Sequence, residues 1–165
     1  MTAPADWAGF AEMTGGASGA LTGLLFVAVS LNASKIASHR SLRASAAQTL
    51  VLFLTPLIMA ATLLTPGQPE WALGAELIAV GLITSAVLLG ISRVKHRVTV
   101  TDEEQRLLAI FNHRGTNVMV MLLFTTSGVI LSCGQAAGLY LLLPASLVAL
   151  VSGVLNAWYF LLVPS

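Results

Sequence analysis

The chain has 165 residues, of which 56% are hydrophobic and 9% charged. A soluble domain is roughly one quarter charged, so this composition excludes an ordinary water-facing surface and implies a lipid bilayer as solvent. Eight basic and seven acidic residues leave a formal charge of +1, too little to bind nucleic acid by bulk charge. The single cysteine, Cys133, leaves no internal disulfide and no cysteine cluster for a metal.

In chain order, Trp7, Phe10, Ala11 and Thr14 share one helical face while Gly9 and Glu12 turn away. This is the pattern of a short helix in the outer interface, with the indole at headgroup depth. Continuous apolar runs then predict five membrane-spanning helices at about 16–33, 46–65, 71–92, 116–133 and 138–163. No Lys or Arg precedes the first run, so it does not read as a secretory leader. A membrane barrel would need alternating strands of about ten residues, whereas these runs are continuously rich in Leu, Ala and Val. Between the third and fourth runs, Thr101 and Glu104 form a capping-box pattern that would open a helix on the inner leaflet bearing Leu107, Leu108 and Phe111. The expected fold class is an all-α integral membrane protein, a single bundle over 1–165. Five spans take roughly 100 residues and leave no room for a soluble catalytic domain.

All Lys and Arg fall in two segments, Lys35, Arg40 and Arg43 after the first run and Arg93, Lys95, Arg97, Arg106 and Arg114 between the third and fourth. The positive-inside rule makes both cytoplasmic. The links Pro66–Glu70 and Gly134–Ala137 hold no basic residue and belong outside, which puts the N-terminus outside and the C-terminus in the cytoplasm. Basic residues on one side also predict attraction to anionic lipid headgroups. An odd number of spans without an internal repeat argues against an inverted-repeat transporter.

The stretch GGASGALTGLLFVAVSLN at 15–32, then LRASAAQTLVLF, TPGQ and LGAELIAVGLI, resembles a family of small bacterial integral membrane proteins without an established activity. Some members are labelled modulator of a membrane-anchored AAA protease. The resemblance covers about the first half of the chain and rests on a Gly/Ala-rich first span and a PGQ turn. It implies a multi-pass protein of the bacterial cytoplasmic membrane and carries over no catalytic residue and no cofactor.

Three groups of residues stand out as sites. The first is small residues: Gly15, Gly19 and Gly23 recur every four positions, and Gly81–Ser85 and Ala86–Gly90 repeat that spacing in the third run. Such faces let helix backbones approach closely, either between subunits or within one. The second is polar groups within the runs: Glu76, and at mid-depth Thr55, Thr84, Ser85, Thr125, Thr126, Ser127 and Ser152. An intramembrane carboxylate marks function by its desolvation cost, but Glu76 sits near a helix N-terminus where the dipole favours it. The hydroxyls could line a hydrated layer or simply bond the carbonyl four residues back. Pro56 and Pro144 are expected to kink their helices.

Amides form the third group. Asn32, Gln48, Asn117 and Asn156 lie toward the cytoplasmic side, where Asn156 is expected to reach Asn32 or Asn117, directly or through water, and a polar mouth could form. His39, His96 and His113 have no HxxxH or HExxH spacing and suit headgroup contacts better than a metal site. No nucleophile and base, acidic pair or phosphate loop is evident, so an enzyme is not expected. The leading expectation is a homo-oligomeric channel or passage for a small ion or polar solute, built on Glu76, Thr125–Ser127, Asn156, Asn32 and Asn117. The alternative is an accessory subunit docking on a larger membrane complex, such as a quality-control protease, through its glycine faces and its cytoplasmic helix.

Overall fold

A computed structural model describes residues 7–95 and 113–162. Its elements in chain order are α1 (Ala8–Leu31), α2 (Ala33–Ser38), α3 (Arg40–Leu63), α4 (Glu70–Lys95), α5 (His113–Ser132), a 3-10 segment (Ala136–Leu141) and α6 (Leu142–Leu162), with no strand among the described residues. Four stretches are long and apolar enough to cross a membrane: Ala8–Leu31, Leu42–Leu63, Glu70–Ile91 and Ala136–Trp158. Helix α5 has a shorter apolar stretch, Asn117–Ser132. The expected helix around Leu107 and Phe111, together with His96, Arg97 and Arg106, lies outside the described residues.

Successive long helices run antiparallel, so the bundle has a basic end, with Lys35, Arg40 and Arg43, and an opposite end carrying the turns at Gly67 and Gly134. Helix α3 is the hub, packing against α1, α4 and α6. Over half of its apolar stretch is buried, 56%, against 22% for α1, because α1 leans on α3 almost alone. Toward the turn end, Ala11, Met59, Leu63, Leu77, Phe124, Leu139 and Ala145 form the larger core cluster. Leu25, Ile36, Leu42 and Phe53 form a smaller one toward the basic end. The outside is apolar as well: Leu24, Phe26, Leu31, Ile83, Trp71 and Trp158 are all exposed, far more than a water-facing monomer would show.

Local chemistry fixes the helix ends. Gly67 and Gly134 have φ of 72° and 75°, a conformation that glycine adopts without a Cβ penalty. At Gly134 its own N–H reaches the Leu131 carbonyl and the Gln135 N–H reaches that of Ile130, which is the Schellman closure of a helix. Pro69 does not enter α4; it precedes Glu70 and its carbonyl accepts the N–H groups of Ala72 and Leu73.

Two sequence expectations are corrected here. The residues read as a separate interfacial helix are the first turns of α1, which runs unbroken from Ala8. Their face turns inward: Ala11 and Thr14 are buried, and Trp7 stacks edge-on against Tyr140 at 5.0 Å between ring centroids. The shared face was real, but a protein neighbour covers it. Pro144 does not kink a helix either, because it lies in the first turn of α6, where its missing N–H has no helical partner to lose. The first residues expected in the last span form the 3-10 segment instead. Pro56 does lie inside α3, where it leaves the Leu52 carbonyl without its usual helical donor.

Candidate functional site

The hydroxyls of the mid-depth layer are engaged within and between helices. Thr55 gives its proton to the Val51 carbonyl at 2.8 Å, so at 3.1 Å it must accept from the Thr84 hydroxyl, joining α3 to α4. Ser85 donates to the Met121 sulfur at 2.8 Å, joining α4 to α5. Ser127, fully buried, donates to the Gly138 carbonyl at 2.7 Å and holds the 3-10 segment on α5. Thr125 sits against Gly81, with its buried hydroxyl unpaired among the described residues. Thr126 faces out of the bundle. The members of the expected layer therefore point in different directions.

Glu76 also faces outward. It stands two residues after Gly74, whose Cα lies against α5, and is thus about 200° round the helix from that contact. Because α1 begins at Ala8, Glu12 joins Glu76, and Glu70 in the first turn of α4, as an exposed acid on an apolar helix. Glu12 thus lies within the helix and not ahead of the span.

The small-residue motifs divide sharply. On α4 and α5, Gly74, Gly81 and Gly128 lie in a seam so close that a Cβ on Gly128 would stand 2.7 Å from the Gly74 carbonyl oxygen and 2.9 Å from the Ile78 nitrogen. A Cβ on Gly15 would stand 3.0 Å from the Ala60 methyl. Gly16, Gly19, Gly23 and Gly90 meet nothing within 4 Å and are exposed. Of the motifs read from sequence, Gly81–Ser85 and Gly15 face inward, whereas Gly19, Gly23 and Gly90 face outward. Gly74, Gly128, Gly138 and Gly153 make the other close approaches; the partner of each lies on another element, which spacing along one helix does not reveal.

The amides gather at the basic end around the first turns of α3. The Asn156 amide nitrogen donates to the Ser45 carbonyl at 2.9 Å and to the Thr49 hydroxyl, while Thr49 donates to Ser45 at 3.0 Å. Gln48, one residue away, donates from Nε2 to the Asn117 side-chain Oδ1 at 3.5 Å. All five residues are buried, and they pin α5 and α6 onto α3. Asn32 stays apart, bonding the Ala28 carbonyl of its own helix at 3.0 Å. No direct bond joins Asn156 to Asn32 or Asn117 among the described residues; its amide nitrogen bonds α3 instead, since equal depth put these amides in one layer without saying which helices are neighbours. The signal for the true partners was present in Gln48 and Thr49, adjacent polar residues at the start of an apolar run.

Among the described residues no group of three or more His, Cys, Asp or Glu could hold a metal ion. His39 is exposed and its Nδ1 bonds Ser38 and the Lys35 carbonyl. Comparison with protein-family models, with characterised proteins and with solved structures finds no match to this chain.

Proposed function

We propose that this is a five-span protein of the bacterial cytoplasmic membrane, N-terminus outside, that works by assembling with other membrane helices as an accessory subunit of a larger complex. The observation that carries this reading is the outer face of α1, where Gly16, Gly19 and Gly23 present backbone with nothing within 4 Å. A small-residue face on a span that is only 22% buried suits close packing by a further transmembrane helix. Most of the polar side chains that a passage inside one protomer would use are tied into bonds between helices, which favours assembly over conduction.

Support for a fifth span comes from α5, which accompanies α4 from Met121 beside Ser85 to Ser132 beside Gly74. The orientation rests on the basic end. Topology reporters test both: fusions after residues 40 and 100 should read cytoplasmic and one at Gly67 external, whereas an external signal from residue 100 would overturn the arrangement. The assembly reading is tested by affinity purification from native membranes. Gly19→Leu and Gly23→Leu should remove a partner that the unaltered chain retains, and identical recovery from both variants would defeat it.

A second reading, a homo-oligomeric channel for a small ion or polar solute, is favoured by Glu76 and Thr126, polar groups turned out of the bundle. A passage that used them would run between protomers, with Glu76 attracting cations at its outer mouth.

A further inference from the structure

The amide cluster at the basic end leaves three polar atoms without a partner among the described residues: Gln48 Oε1, Asn117 Nδ2 and Asn156 Oδ1. Their side chains are 1%, 3% and 3% exposed, so bulk solvent does not satisfy them, and an unmet buried group is destabilising. The orientation of Asn156 is fixed by the Ser45 carbonyl, which can only accept; its nitrogen must face α3 and its oxygen must face away. The Gln48–Asn117 pair can be turned over as a unit. In either orientation one amide donates to the other, and the pair leaves one carbonyl oxygen and one amide nitrogen without a partner. The cluster therefore always offers two unpartnered acceptor oxygens and one unpartnered donor nitrogen.

We propose that this cluster is a binding site for an internal water molecule that bridges α3, α5 and α6. Water donates two hydrogen bonds and accepts from the remaining donor, and three bonds to otherwise unmet groups is the usual coordination of a buried water. An ion fits less well. None of Ser45, Gln48, Thr49, Asn117 and Asn156 is ionisable, so a charge placed here would lack a counter-charge. The free N–H opposes a cation, and the two free acceptors oppose an anion. The site lies on the faces that join three helices, so its occupant completes the helix contacts and belongs to the fold under either functional reading.

The test is water-to-protein magnetisation transfer in the full chain, reconstituted in lipid nanodiscs with 15N in Asn and Gln side chains. Transfer from water should reach the side-chain amide protons of Gln48, Asn117 and Asn156. Absence of transfer at Asn117 and Gln48 in the unaltered protein would overturn the proposal without recourse to any variant. Asn156→Leu removes one acceptor and should lower the transfer at Asn117 by at least about twofold. Transfer there equal to that of the unaltered protein would show that no water is shared with Asn156, and the three-helix bridge would fall.

Discussion

The α4–α5 seam and the outer face of α1 are written in the same residues and do opposite things. Both present glycine at helical spacing in an apolar run. On the seam, Gly74 and Gly128 bring two backbones together until a Cβ on either has no room. On α1, Gly16, Gly19 and Gly23 open onto space. A glycine costs a helix about 1 kcal/mol relative to alanine, and the seam offsets that loss with close backbone packing. The α1 face has no such return within the protomer, and this imbalance is the physical reason for seeking its partner elsewhere.

The comparison can be broken most directly at the seam. Gly128→Leu would force its side chain into the Gly74 carbonyl and Ile78, and the expected loss is about 3 kcal/mol or more of unfolding free energy, read by steric trapping or denaturant titration in bicelles. A variant of near-native stability would mean that the seam is loose. Asn156→Leu should come next, losing about 1–2 kcal/mol, because two donated bonds vanish and the Ser45 carbonyl and Thr49 hydroxyl are left short. If instead Thr49→Val alone removed as much stability as Asn156→Leu, the hydroxyl bond would dominate the joint.

On α1 the expected effect on the protomer is small. Gly19→Leu should change its unfolding free energy by no more than about 0.5 kcal/mol while abolishing association, so a large loss of protomer stability would erase the contrast with the seam. The least change is expected from Glu76→Gln, which nearly preserves shape on an exposed position. Thermal stability should stay as it is, and only the channel reading requires reduced cation flux in reconstituted vesicles. Unchanged flux through a well-assembled variant would remove Glu76 from any mouth.

What was legible in the sequence follows from what one helix can know about itself. Apolar run length located the long helices, and the tendency of Ser and Thr to bond back explains Thr22, Ser30 and Ser132, each donating to the carbonyl four residues earlier. Which side of a helix meets protein was not legible, because in lipid the outside of the bundle is as apolar as the inside. In water the polar stripe would have told Gly74 from Gly90. Depth grouped Asn117 and Asn156 correctly at one end, but a one-dimensional depth cannot distinguish a neighbour on α3 from one across the bundle. Trp7 and Phe10 were assigned the right face and the wrong environment for the same reason.

The position of α3 as hub carries a consequence for biosynthesis. Its basic-end partners, α5 and α6, are made last, so when α3 enters the bilayer Gln48 and Thr49 have neither Asn117 nor Asn156 to meet. Until α5 brings Asn117 the Gln48 amide lacks its partner, and until α6 brings Asn156 the Ser45 carbonyl and Thr49 hydroxyl lack theirs, an unfavourable arrangement in apolar surroundings. A chain that stops before Asn156 therefore lacks the bonds that fasten its last helix to its hub.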